Sequence, residues 1–404
     1  MKRRADDLRS KTTTARRALW RLLFCVCLAA PPALVAARPV AAEITPLAAP
    51  DVTAASVYVQ DASAGVPLME KNADERRPPS STTKIVTAQV VIDNAALDEL
   101  VVVDGADLAG PDESQMGLLA GDTLTVEQLL EGALIPSGND AARTLARHVG
   151  LKILAGAEGD PIARFVEEMN AYVASLGLED TNFTNAEGLD DPSEYTSAHD
   201  LAVLGARAMR NKTISSIVDQ TQLDVTSVGP EARVYLDPLT GGPKLNSNHL
   251  LEGGTEPMDG VHGLKTGTTP EGGANLVVAK WSPGGNRIIA VVMGSEIRYD
   301  ELGAQVEGSD RRYDDMRTVL SAVESSYTWV DPAEEEQLPG LADELAAWQV
   351  QLRNGSAIVV AADASAPVTY RLELVPPGGE EKTAGRVLFF AGSDLLAERP
   401  LTYR

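Results

Sequence analysis

The sequence predicts an α/β chain of the α+β kind, with a central antiparallel sheet flanked by helices and a small all-β module at the C-terminal end. Three observations predict it. Residues 263–268, 275–281 and 287–294 read as strands, and a link as short as Ser282-Pro283-Gly284-Gly285-Asn286 implies antiparallel neighbours. Apolar residues recur at helical spacing over 161–176 and again over 311–327, so each segment has one face to bury. Beyond a charged break containing proline, Asp331 to Glu336, residues 346–404 change to short strand-like runs separated by turn residues. A chain of 404 residues, 44% hydrophobic and 23% charged, has ample material for such a core.

In chain order, residues 1–42 stand apart. They hold nine basic side chains against Asp6 and Asp7, a net +7, and Leu22 to Ala37 is uncharged. Val40-Ala41-Ala42 then supplies a small-residue cleavage pattern, so the segment reads as an export signal cleaved after Ala42. As a membrane anchor it is short of the ~20 residues a span needs, and Pro31-Pro32 interrupts it. The expected destination is the periplasm or another extracytoplasmic wall space. Cys25 and Cys27 both lie in this segment, so the mature chain has no thiol chemistry. Without the signal the formal charge falls from −23 to −30, which argues against a nucleic-acid surface.

The mature part opens with strand-like runs at 55–59 and 66–69. Pro78-Pro79 stops extended structure, and 81–92 reads as an apolar helix. Residues 118–146 read as mostly helical, broken near Pro136, and 198–209 as a further helix. The expected domains are a signal at 1–42, a main domain at 43–330, and a linker with a β-rich module at 331–404.

Three short motifs carry chemistry. Ser81-Thr82-Thr83-Lys84 sits at a helix start, and its spacing puts Ser81 and Lys84 one turn apart on one face. A serine hydroxyl needs a base beside it, and a lysine serves only when burial or a nearby cation keeps it neutral. The same four residues also fit a cap with a surface lysine, and Ser80 competes as the cap. Ser137-Gly138-Asn139 follows Pro136 at the break between two helical stretches, where a hydroxyl relays a proton and an amide holds a carbonyl; these are also ordinary turn residues. Lys265-Thr266-Gly267-Thr268 lies on a strand, where Gly267 permits close approach and a lysine with hydroxyls suits a carboxylate. A lysine-guarded edge strand is the plainer reading.

Taken in order, Ser-x-x-Lys, Ser-x-Asn and Lys-Thr-Gly form the signature of penicillin-recognising serine enzymes. The chain resembles the D-alanyl-D-alanine carboxypeptidases of the low-molecular-mass penicillin-binding proteins, within the β-lactamase/transpeptidase-like superfamily. Arg77-Pro78-Pro79, Ser114-Gln115-Met116, Leu129-Leu130-Glu131-Gly132, Gly188-Leu189-Asp190 and Tyr195-Thr196-Ser197-Ala198-His199-Asp200 extend the similarity over roughly 50–330. The resemblance implies a serine-type peptidase that removes the terminal D-alanine from peptidoglycan stem peptides through an acyl-enzyme, with β-lactams as inhibitors and no cofactor. By position it makes Ser81 the nucleophile, Lys84 the general base, Ser137 the proton relay and Asn139 a peptide contact. Lys265, Thr266 and Thr268 take the substrate's terminal carboxylate, Gly267 completes the substrate-binding strand, and the backbone N–H groups of Ser81 and Thr268 form the oxyanion hole.

Departures and alternatives stay in view. Some relatives carry histidine where Thr268 stands, and some end in an amphipathic helix that docks on membrane, which Thr402-Tyr403-Arg404 does not suggest. Related activities are a D,D-endopeptidase or a β-lactamase; a non-enzymatic alternative is a peptidoglycan-binding scaffold with a silent site. Glu187 reads as part of a surface loop, and His148, His199, His249 and His262 lack metal-ligand spacing. The sequence leaves oligomeric state open.

Overall fold

A computed structural model describes residues 44–300, 305–353, 355–364, 366–375 and 383–404, which belong to one compact unit, Ala41–Arg404. The expected export signal at 1–42 lies outside the described residues. The chain enters through β1 (Leu47–Ala48), β2 (Ser56–Asp61) and β3 (Val66–Lys71). A 3-10 turn, Ser80–Thr83, leads into α1 (Lys84–Asn94). The pair β4 (Leu100–Val102) and β5 (Thr123–Thr125) precedes α2 (Val126–Leu134) and α3 (Asn139–Leu154). Three more helices follow, α4 (Pro161–Ser175), α5 (Ala198–Ala208) and α6 (Lys212–Val218). Then come β6 (Val261–Thr269), β7 (Gly273–Trp281), β8 (Arg287–Ser295) and α7 (Arg312–Ser326). The C-terminal stretch holds β9 (Tyr327–Val330), α8 (Leu341–Ala347), β10 (Val350–Leu352), β11 (Ile358–Ala361), β12 (Val368–Leu374), β13 (Thr383–Ala391) and β14 (Asp394–Tyr403).

The central sheet runs β1-β3-β2-β8-β7-β6, antiparallel except for the β1–β3 pair. Strand alternation sends side chains to both faces, and both are buried. Tyr58, Val277, Ala279, Ile289, Val291 and Met293 pack with the helices from α1 to α6. Val57, Val59, Leu276, Val278, Ile288, Ala290 and Val292 pack against α7 through Met316, Val319, Leu320 and Val323. Helices therefore cover the sheet on two sides and leave β6 as one edge, beside the Ser80–Thr83 turn.

Two segments differ from the sequence expectation. Residues 118–122 are not helical, because Gly117 and Gly121 hold left-handed backbone (φ 92° and 91°) and Thr123–Thr125 pairs with β4 instead. The helix starts only at Thr125, whose hydroxyl accepts from the Gln128 N–H while the Gln128 side chain accepts from the Thr125 N–H. The short helices α6 and α8 were not foreseen; Asn211 caps α6 by accepting from the N–H groups of Thr213 and Ile214.

The C-terminal stretch is built mostly of strands. β10, β14, β13 and β12 form one sheet over a cluster that includes Leu338, Leu345, Val387, Phe389 and Leu401. β9 and β11 pair across the expected linker, and Trp329 and Val359 pack with the sheet's α7 face. Asp61 ties this junction: Oδ2 accepts from Trp329 Nε1 at 2.8 Å and Asn286 Nδ2 at 2.7 Å, both buried. Asp61→Ala leaves Trp329 Nε1–H buried without an acceptor and Asn286 Nδ2 with the Ala357 carbonyl alone, and is expected to lower unfolding free energy by about 3 kcal/mol in a denaturant titration.

Candidate active site

The turn before α1 is clamped from the sheet. On β7, Asn275 Nδ2 donates to the carbonyls of Pro78 and Pro79, each at 3.1 Å, while its Oδ1 accepts from Gly294 N–H at 2.8 Å. Ser80 adopts left-handed backbone (φ 50°), is buried, and turns its hydroxyl to Thr269 Oγ1 at 2.9 Å. Its neighbour Ser81 instead meets Lys84, with Nζ 2.9 Å from Oγ. The choice between the two serines is thereby made by backbone geometry. Two glycines let other chains approach this turn. A Cβ on Gly267 of β6 would stand 2.9 Å from the Ser81 nitrogen, and one on Gly188 would stand 1.9 Å from the Ser80 oxygen.

Lys84 is fully buried, and its amine has three partners. Besides Ser81, Nζ donates to Asn139 Oδ1 at 2.7 Å and to the carbonyl of Glu187 at 2.8 Å. Burial lowers its pKa to about 7; Glu187 opposes this and Arg143 adds to it. The sequence left burial and a nearby cation both open for that task; in the structure burial leads. A neutral amine has two N–H bonds and one lone pair. Asn139 Oδ1 and a backbone carbonyl only accept, so they take both N–H bonds and leave the lone pair for Ser81 O–H.

Asn139 begins α3 after Ser137, which holds left-handed backbone (φ 67°), and its N–H donates to Ser114 O at 2.8 Å. The amide cannot flip without loss, because Nδ2 donates to Glu113 Oε2 at 2.8 Å. Glu113 in turn pairs with Arg143 at 2.6 Å, and Arg143 pairs with Glu187 at 2.6 Å. Glu187 is thus no surface loop residue: it is 6% exposed, its side chain locked by Arg143 and its carbonyl facing Lys84. The sequence reading missed this because the arginine that draws it inward is 44 positions away.

A cleft of about 380 Å³ opens on these groups, lined by Ser81, Ser137, Thr266, Gly267, Thr268 and Arg312 among others. Seven of the eight expected residues therefore gather in or directly behind one cleft: Ser81, Lys84, Ser137, Asn139, Thr266, Gly267 and Thr268. Lys265, the eighth, is buried, and Nζ donates to Thr266 O at 2.9 Å. Burial drives its pKa well below that of an ordinary lysine, with Lys84 and Arg312 adding to the effect. Arg312 was not singled out from sequence. Its guanidinium is 5% exposed, with Nη1 donating to Gly267 O at 3.0 Å and Nη2 to Thr268 Oγ1, while Asp310 holds it at 2.7 Å. A signal existed: Arg311-Arg312 stands at the start of α7, where the helix dipole disfavours cations.

The profile of the D-alanyl-D-alanine carboxypeptidase family matches residues 43–297. The chain belongs to that family. It is 34% identical over 257 residues to D-alanyl-D-alanine carboxypeptidase DacA of Haemophilus influenzae, covering 61% of this chain and 58% of that protein. It is 33% identical over 256 residues to the D-alanyl-D-alanine carboxypeptidase of Streptomyces sp. strain K15, covering 62% and 84%. Among solved structures, the Streptomyces K15 DD-transpeptidase matches at TM-score 0.58 and 30% identity, over 69% of this chain and 99% of that one. Penicillin binding protein 5 of Haemophilus influenzae matches at TM-score 0.62 and 25% identity, over 89% and 98%. Measured by sequence, the chain spans less than two thirds of the Haemophilus relative.

Among the described residues no cluster of His, Cys, Asp or Glu is arranged to hold a metal ion, and no helix is long and apolar enough to cross a membrane. The amine geometry has a direct readout in the family member itself. Lys84, followed by its side-chain 13C shift, is expected to titrate near 7, about three units below exposed lysines.

Proposed function

We propose that this chain is a serine-type D-Ala-D-Ala carboxypeptidase acting on peptidoglycan stem peptides, and that β-lactams trap its acyl-enzyme. The observation that carries the reading is the buried amine of Lys84, 2.9 Å from Ser81 Oγ with acceptors at both its other contacts. In the proposed reaction neutral Lys84 removes the Ser81 proton as Oγ attacks the penultimate carbonyl. Ser81 and Thr268 N–H groups take the developing oxyanion, a contribution worth about 3 kcal/mol per donor. Gly267 lets the extended peptide lie against β6, while Thr266, Thr268 and Arg312 meet its terminal carboxylate. Lys265, buried behind them, contributes a donor. The leaving D-alanine amine takes a proton through Ser137, and Asn139 offers its second amide N–H to the peptide. Water then hydrolyses the ester.

Residues 1–42 are proposed as the cleaved export signal that delivers residues 43–404 to the extracytoplasmic wall, with 43–330 catalytic and 331–404 a β-rich appendage. The Streptomyces K15 relative is named both a carboxypeptidase and a DD-transpeptidase, so transfer to an amine acceptor is the reading to set against hydrolysis.

Purified mature protein is expected to release D-alanine from a stem-peptide analogue and to label with fluorescent penicillin, and Ser81→Ala to abolish both. Labelling that survives in Ser81→Ala overturns the assignment of the nucleophile. Monomer release from cross-linked muropeptides marks an endopeptidase, rapid penicillin turnover marks a β-lactamase, and wall binding without acylation marks a scaffold. Because Lys84 works as a base only when neutral, kcat/KM is expected to rise with pH through about 7 and to fall tenfold per unit below it.

A further inference from the structure

We infer that Glu194 is a positioning residue for Lys84, gripping from behind the two backbone segments between which that amine lies. The inference rests on reading Lys84 as the base of acylation. Glu194 is 3% exposed and stands outside the cleft that holds Ser81. Its Oε1 accepts from Thr83 Oγ1 at 3.0 Å, and Thr83 immediately precedes Lys84. Its Oε2 accepts from Thr184 N–H at 3.2 Å, from Thr184 Oγ1 at 2.8 Å and from Asn185 Nδ2 at 2.5 Å. Asn185 carries the grip onward: Oδ1 accepts from the N–H groups of Glu187, Gly188 and Leu189, at 3.2, 2.6 and 3.0 Å. Those bonds fold the turn so that the Glu187 carbonyl faces Lys84 Nζ at 2.8 Å. One carboxylate thus fixes both the helix start that carries the amine and the turn that supplies one of its two acceptors.

A further feature separates this carboxylate from an ordinary structural one. Among the described residues no cation pairs with Glu194; its contacts are hydroxyls, an amide and a backbone N–H. Burial raises its pKa to about 7 against those bonds, so placing a carboxyl here costs stability that the fold does not recover through an ion pair. What it supplies is four acceptor contacts on two segments from a single rigid group. Loss of the grip lets the turn drift, which misdirects the Lys84 lone pair and admits water to the amine.

The test uses the whole mature chain with Glu194→Ala and Glu194→Gln. In Glu194→Ala, kcat on a stem-peptide analogue and the rate of acylation by fluorescent penicillin are expected to fall about tenfold or more, with KM changed less than about twofold. Hydration of Lys84 moves the acid limb of the pH profile up by about half a unit or more, a change that mere loss of folded protein does not produce. Glu194→Gln keeps an oxygen for the turn and an N–H for the Thr83 hydroxyl, and is expected to restore rate and midpoint. Folded Glu194→Ala with wild-type rate and midpoint overturns the inference, as does a lower rate at an unshifted midpoint. Should Glu194→Ala not fold, Asn185→Ala, which cuts the second link, is expected to give the same shift, and its absence overturns the inference. If the wild type neither acylates nor releases D-alanine, the functional reading fails instead. The 13C titration of Lys84 in wild type and variant then decides the positioning alone: an upward shift supports it and an unshifted midpoint overturns it.

Discussion

A primary amine buried out of reach of water is the constraint around which this molecule is arranged. Desolvation disfavours the ammonium and leaves a neutral group with two hydrogens to place and one lone pair to aim. Lys84 finds an acceptor for each hydrogen on a different element: Asn139 at the start of α3 and the Glu187 carbonyl in the loop after α4. The lone pair then has one direction left, toward Ser81 in the 3-10 turn that leads into its helix. Both acceptors are themselves held by a single partly buried ionic chain, Glu113–Arg143–Glu187, with Asn139 bonded to its near end. A chain of this kind contributes little net stability compared with apolar packing, and its use here is orientation.

The sheet serves the same end from the other side. Both of its faces are covered, β6 is one of its two edges, and the Ser81 turn lies against that edge. Contact that close is possible only where side chains are missing, at Gly267 on the strand and Gly188 beneath the turn. The site also holds left-handed backbone at two serines, Ser80 in that turn and Ser137 before α3, each costing of order 1 kcal/mol. Asn275, bonded to the carbonyls of Pro78 and Pro79, holds the first of these in place.

Legibility from sequence follows the range of each interaction. Strands β6, β7 and β8, helices α4, α5 and α7, and the Ser81–Lys84 pair rest on spacing within one element, and periodicity reveals them. The exact role of Ser80 did not follow from spacing, because it depends on Thr269 and Asn275, 189 and 195 positions away. Glu187 was misread for the same reason, and Glu113, Arg143 and Glu194 stayed invisible. Each acts through a partner that no local pattern brings near. Gly117 and Gly121 illustrate the opposite error, where an apolar run looked helical although two glycines with left-handed backbone stop it.

The division of positive charge in the cleft follows from the same energetics. Lys265 was expected to hold a carboxylate by its charge, yet burial works against that charge, and the neighbouring Arg312 adds to the effect. A guanidinium is better suited to the task, because its charge is delocalised over five N–H donors in a fixed fork. Arg312 occupies the start of α7 against the helix dipole, and three aspartates offset this: Asp310 binds it, while Asp314 and Asp315 stand in the first turn. Two donors reach the β6 carbonyl of Gly267 and the hydroxyl of Thr268, so the charge is fixed at the strand where the proposed peptide lies. Over residues 43–404, whose formal charge is −30, an anionic substrate needs such a local reversal of sign, and a lysine whose charge burial disfavours serves it less well. In the proposed reaction the two lysines therefore serve proton transfer and hydrogen bonding, and the arginine carries the electrostatic attraction.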